Sequence, residues 1–186
     1  MAYTVLTGAQ FNERARNTGT KMFKVLNSDF IHNNYTYKLH ALNDLSQLGE
    51  QFDPDPNCTP GGLYFCAESD ILVWLCTMDG QLIAPVEIPD DAQVSVGDSK
   101  FKTDKLYIGQ PMSFQDFYSD AYIRSMPQSY ISHAYRWHSE PAGSLLNIVA
   151  RRHYKLNPDA YSLLATLTRV CNSVWGQTGA HNQFLT

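Results

Sequence analysis

Pro60-Gly61-Gly62-Leu63-Tyr64-Phe65-Cys66, continued by Ala67-Glu68-Ser69-Asp70 and the apolar run Ile71-Leu72-Val73-Trp74-Leu75, sets the architecture of this chain. Proline presets one turn dihedral and glycine tolerates positive φ, so Pro60, Gly61 and Gly62 form a structural turn. Gly62 is expected at positive φ or in a crowded turn. The turn feeds a strand that presents Leu63 and Phe65 to one face and Tyr64 and Cys66 to the other. The strand then runs into a short amphipathic turn of helix. No catalytic signature lies in this stretch.

Working outward, Phe52-Asp53-Pro54-Asp55-Pro56-Asn57 is an acidic loop, because two prolines flank an acid. Before it, Met22 to Leu26 reads as a strand stopped by Asn27-Ser28-Asp29. Asn33-Asn34 is a turn, Tyr35 to Leu39 alternates like a half-buried strand, and Leu42 to Gly49 reads as a helical turn. Residues 7–18 form a short polar helix ended by Gly19. Its only large apolar residue is Phe11, so residues 1–20 are expected as an N-terminal arm or short helix.

After the central stretch, Leu82 to Ile88 is a strand whose Pro85 favours an edge or a bulge. Gln93 to Val96 is another, and the alternation from Phe101 to Ile108 predicts one last strand ending at Gly109-Gln110-Pro111. Residues 21–110 are thus an α+β unit on an antiparallel sheet. Residues 111–186 change character and are expected as a helical extension packed on that unit. Ser113 to Ile123 carries an aromatic stripe, Ser129 to His138 is ambiguous, and Ser144 to Tyr154 has helical periodicity. Asn157 is a natural N-cap with Pro158 at the first helical position, and Leu164, Leu167, Cys171, Val174 and Trp175 then fall on one face. The fold class is α+β, an antiparallel sheet domain with a C-terminal helical segment.

Charge is scarce. Charged residues make up 17% of the chain, below the ~25% of ordinary domains, and 11 Tyr, 9 Phe and 3 Trp are present. Low charge with many aromatics describes the centre of a protein interface. The net charge of −4 is uneven: residues 1–110 hold 8 Lys/Arg against 14 Asp/Glu, residues 111–186 hold 6 against 4. That balance argues against a nucleic-acid partner, which needs a basic patch or stripe. No apolar stretch approaches the ~20 residues of a membrane helix, and Met1-Ala2-Tyr3-Thr4-Val5-Leu6 is no signal peptide. A cytoplasmic chain with reduced, mostly buried thiols at Cys58, Cys66, Cys76 and Cys171 is expected.

Their spacing contains no C-x-x-C, and His133 and His138 are five apart rather than the four of a helical zinc pair, so no metal site and no cofactor are expected. The pairs Asp53/Asp55 and Asp90/Asp91 read as solvated turn acids. Neither a P-loop, nor a dinucleotide fingerprint, nor a Gly-x-Ser-x-Gly elbow occurs. Tyr135, Arg136 and Trp137 form a candidate contact strip in which Arg136 stacks on a neighbouring ring. Leu164, Leu167 and Trp175 are the other interface candidates.

Five pieces taken in order resemble the N-terminal domain of mimivirus-type (giant-virus) ankyrin-repeat proteins. They are Phe23-Lys24-Val25-Leu26-Asn27, Tyr37-Lys38, Cys58-Thr59-Pro60-Gly61-Gly62-Leu63-Tyr64-Phe65, Val86-Glu87-Ile88-Pro89-Asp90-Asp91-Ala92, and Lys100-Phe101-Lys102-Thr103-Asp104-Lys105. The likeness covers residues 21–110, and no ankyrin repeat follows. It implies a viral or virus-derived origin, hence the host-cell cytoplasm, and carries no activity over. Gly62-Leu63-Tyr64-Phe65 followed by a helix is also similar to the core of ADP-ribosyltransferases of the poly-ADP-ribose-polymerase type. That similarity implies Tyr64 stacking on nicotinamide and Glu87 orienting the ribose, although the His-Gly of the first strand is absent.

The leading expectation is a non-catalytic viral accessory or structural protein that self-assembles into an oligomer, shell or occlusion-body-like lattice. A host-factor-binding antagonist and an ADP-ribosyltransferase-like enzyme are the alternatives. The expected partner is a second copy, or a host protein.

Overall fold

The turn-strand-helix stretch becomes the middle of the sheet. The computed structural model describes residues 4–55, 57–77, 82–138 and 144–161. Strand β6 (Leu63–Ala67) is buried along its whole length, with β9 (Phe101–Thr103) on one side and β2 (Met22–Leu26) on the other. Leu63 and Phe65 enter one apolar core and Cys66 the other, as the strand alternation requires. The order across the sheet is β1 (Val5–Thr7), β8 (Gln93–Val96), β9, β6, β2, β7 (Leu82–Glu87), β10 (Lys105–Ile108) and β5 (Leu42–Asp44). A ninth strand, β11 (Met112–Ser113), pairs with β7, and every pairing is antiparallel. A separate hairpin joins β3 (Ile31–His32) to β4 (Tyr35–Thr36). Asn33 and Asn34 turn it at φ 51° and 64°, the backbone of a tight hairpin turn.

Phe101 to Ile108 is not one straight strand. It breaks at Asp104, and its halves β9 and β10 sit in the sheet with β6, β2 and β7 between them. Consecutive residues cannot be far apart, so the sheet curls until those two seats meet. The inside of the curl is one core, holding Leu26, Leu63, Phe65, Val86, Val94, Leu106 and Ile108. The outer face at β2, β6 and β7 carries Phe23, Val25, Cys66 and Ile83 into a second core under the helices.

Helix α1 (Gly8–Thr18) is not a loose arm. A capping box between Thr7 and Gln10 starts it, and Gly19 at φ 64° ends it. Phe11 is 4% exposed and packs edge-on against Phe65 and Phe101, with centroids at 5.5 and 5.0 Å. With β1 paired to β8, Leu6 and Phe11 of this segment contribute to the sheet and its inner core.

Pro85 does not lie on a sheet edge, since β7 is flanked by β2 and β10. Its missing N–H is accommodated by a break in the neighbour. Gly109 donates to the Pro85 carbonyl at 2.9 Å, and pairing with β7 then resumes only at β11.

The helical layer comprises α2 (Ile71–Thr77), α3 (Phe114–Phe117), α4 (Asp120–Ser125), α5 (Gln128–Trp137) and α6 (Leu145–Leu156). Ser113, Ser119 and Ser144 cap α3, α4 and α6 with their side chains. The ambiguous segment 129–138 is helical because Ile131 and Ala134 are buried against the layer. Among the described residues no helix is long and apolar enough to cross a membrane. Leu164, Leu167, Cys171, Val174 and Trp175 lie outside the described residues.

Candidate functional site

Strands β2 and β6 pair only through Met22–Ala67 and Phe23–Cys66. Beyond that point they part, and the gap is a cavity of about 120 Å³. Lys24 and Val25 of β2 form one wall, and Tyr64, Phe65 and Cys66 of β6 form the other. His32 and Asn33 come from the β3–β4 hairpin, Cys58 from the acidic loop, Trp74 from α2 and Lys100 from the turn before β9. No Asp or Glu belongs to the described wall.

Lys24 is the electrostatic centre. It is 2% exposed, because β2 is covered on both faces. Its Nζ lies 3.2 Å from His32 Nδ1 and 4.6 Å above the Tyr37 ring, and among the described residues it forms no ion pair. Burial without a counter-ion brings the ammonium down to about 7. Burial, then the charges of Lys24 and Lys100, hold the His32 imidazole down near 3. His32 is therefore neutral, and its Nδ1 accepts from Lys24. An ammonium has three donors. One goes to His32, so capacity is left over toward the cavity.

The acidic loop is held in place by a second buried lysine. Lys102 is 0% exposed and donates to the carbonyls of Asp55 (3.0 Å) and Pro60 (2.9 Å) and to Thr59 Oγ1 (3.0 Å), with Asp53 Oδ2 at 3.4 Å. This lysine explains Gly62. A Cβ there would stand 2.5 Å from Lys102 Cε and 2.9 Å from Cδ, and nearer still to Cγ. The crowding expected of Gly62 is thus present, but the positive φ belongs to Gly61, at 83°. Asp53 and Asp55 direct their carboxylates to the loop's own N–H groups and to Thr59, so the loop is a closed hydrogen-bonded turn. The Tyr64 hydroxyl reaches the carbonyls of Asn57 (2.5 Å) and Thr59 (2.6 Å), on either side of Cys58.

Lys100 closes the rim. Its Nζ sits 4.9 Å from the Tyr64 ring centre, 5.0 Å from that of Trp74, and 2.6 Å from Cys58 Sγ. The Trp74 indole donates to the Ser99 carbonyl at 2.8 Å and fixes that end. Cys58 is exposed and Cys66 buried, and both are free thiols, so burial holds for only one of the two described side chains. Burial pushes the Cys66 thiol far up and keeps it protonated.

The structure brings Tyr64 into this cavity and leaves Glu87 elsewhere. Glu87 is exposed on β7 opposite Tyr107 and is absent from the wall, so the Tyr64–Glu87 pair is not assembled. His133 Nε2 meets Asp70 Oδ1 at 2.8 Å, and His138 Nε2 donates to the Val73 carbonyl at 2.9 Å. Both tie α5 to the segment after β6. Among the described residues no cluster of three or more His, Cys, Asp or Glu is placed to hold a metal. Tyr135, Arg136 and Trp137 do not form one strip, because successive helical residues point about 100° apart. The Tyr135 hydroxyl donates to Asn147 Oδ1 and its ring packs on the core, whereas Arg136 and Trp137 are exposed.

Sequence reasoning missed Lys24, Lys100 and Lys102. A signal was present for each: Lys24 shares a strand face with Met22 and Leu26, and Lys100 and Lys102 flank Phe101, all in or beside strands of a charge-poor chain. Comparison with protein-family models, with curated proteins and with solved structures finds no match to this chain.

Proposed function

We propose that the protein is a non-catalytic binding module. Its cavity takes a small ligand that joins an acidic group, carboxylate or phosphate, to an apolar or aromatic part. One observation carries this: Lys24 is buried at the cavity wall and, among the described residues, no carboxylate lies beside it. A bound acidic group would supply the missing counter-charge, while Tyr64, Phe65 and Trp74 would cover the apolar part. At pH 8 Lys24 is mostly deprotonated in the free protein, and an anion favours its charged form. Binding therefore takes up a proton. Titration calorimetry with benzoate and with inorganic phosphate, each in two buffers of different ionisation enthalpy, is expected to show binding of one of them with proton uptake. Lys24→Met abolishes it. If neither anion binds at millimolar concentration, or binding is unaltered in Lys24→Met, this reading is wrong.

A second reading, self-association or contact with a host protein, is favoured by the exposed neighbours Arg136 and Trp137, the latter 49% exposed at the end of α5. Light scattering on a size-exclusion column is expected to show an oligomer that Trp137→Glu converts to a monomer. A monomeric wild type disposes of the self-association reading. The viral origin and host-cell cytoplasmic location are proposed on the residues quoted for that resemblance alone.

A further inference from the structure

The rim of the cavity holds a thiol and an amine in unusually close contact. Cys58 Sγ and Lys100 Nζ are 2.6 Å apart and 42 residues apart in sequence. Lys100 Nζ is placed to donate to the sulfur, so the two are hydrogen-bonded rather than merely adjacent. Both are held from outside the pair. The Tyr64 hydroxyl has both carbonyls flanking Cys58 in reach and donates its one proton to one of them, and the aromatic rings of Tyr64 and Trp74 flank the Lys100 Nζ. Little freedom is left to lose on joining them. Cys58 is also exposed, so a dissolved oxidant reaches its sulfur.

We propose that Cys58 and Lys100 are an oxidative cross-linking site, in which a hydroperoxide joins the two side chains covalently. The Cys58 thiolate attacks one peroxide oxygen, the O–O bond breaks, and with hydrogen peroxide the departing hydroxide takes up the proton that the thiol had given up and leaves as water. Sulfur is oxidised by two electrons to a sulfenic acid and the peroxide is reduced by two. The lone pair of the neutral Lys100 amine then attacks that sulfur. The S–O bond breaks, the amine gives up a proton, and a second water leaves behind an S–N bond. Sulfenic acids condense with a neighbouring nitrogen in this way. The link fastens the acidic loop to the turn before β9 across the cavity mouth. It rests on the pair's own geometry and is independent of what the cavity binds.

The test is mass spectrometry of the full chain after treatment with hydrogen peroxide, followed by trypsin. The expected product is lighter than the reduced chain by two hydrogen atoms. No Lys or Arg lies between Lys38 and Lys100, so both residues fall in one tryptic peptide. In the product trypsin no longer cuts after Lys100, that peptide runs on to Lys102 two hydrogen atoms lighter than its linear form, and a thiol reductant restores the starting mass and the cut. The same uncut peptide carrying one additional oxygen, the sulfinamide formed when a second hydroperoxide oxidises the sulfur of the S–N link, supports the cross-link equally. Lys100→Arg keeps the cation between the rings but lacks the amine, and it is expected to stop at sulfenic or sulfinic acid on Cys58. If the wild type also stops there, with Lys100 still cleaved by trypsin, the proposal is overturned. A disulfide from Cys58 to another cysteine overturns it too.

Discussion

Replacing Lys24 with methionine is expected to stabilise the protein, most strongly at and below neutral pH. Methionine fills nearly the same space without a charge. In the wild type the ammonium is held down to about 7, against about 10.5 in the unfolded chain. Each pH unit of such a difference corresponds to about 1.4 kcal/mol, so the buried charge costs on the order of 4–5 kcal/mol when fully protonated. The direction with pH follows from proton counting. Between about 7 and 10.5 the unfolded chain holds a proton that the folded chain has released, so wild-type stability rises with pH across that window. Below about 7 both states are protonated and the full penalty applies. His32 adds to the trend in acid, since its folded value near 3 lies below the ordinary 6.5, and stability falls as pH drops through that range. Urea unfolding of both proteins at pH 6, 7.5 and 9 is the measurement. The gap between variant and wild type should be largest at pH 6 and shrink by several kcal/mol toward pH 9. A variant less stable than wild type at every pH would mean that Lys24 is paired in solution. The same substitution abolishes the anion binding proposed above, so lost binding with raised stability marks a residue kept for its ligand.

Gly62→Val is expected to cripple folding. The added Cβ would overlap the shaft of Lys102 rather than its tip, and two further methyl groups must also find room. Lys102 cannot swing aside, because its ammonium is held by Asp55, Thr59 and Pro60 and its side chain is 0% exposed. Overpacking of this kind, with the loss of hydrogen bonds to a buried charge, costs on the order of 3 kcal/mol or more. Thermal melts are the measurement. Gly61→Ala is destabilising for different reasons: it has to adopt φ 83°, at about 1–2 kcal/mol, and its Cβ would also stand 2.9 Å from Asp53 Cβ. A Gly62→Val protein melting within a degree or two of wild type would remove Lys102 from its assigned place.

Local chemistry was sufficient wherever neighbours in sequence decide the outcome. The Pro60-Gly61-Gly62 turn, the alternation of β6, the Gly19 stop of α1, the Asn33-Asn34 hairpin turn and the Ser144 cap of α6 are all short-range effects of dihedral preference and hydrogen bonding. The α+β class followed from the same patterns. Four features depended on tertiary structure. The bend at Asp104 exists because the sheet curls, and the curl depends on strands far apart in the chain. Pro85 sits inside the sheet because Gly109 and β11 rearrange around it. Phe11 anchors α1 only because Phe65 and Phe101 meet it across the curl. The candidate site is the strongest case. Its cationic character depends on no carboxylate of the described residues being near Lys24, and the distance from one side chain to every other is a property of three-dimensional packing that spacing along a chain does not encode.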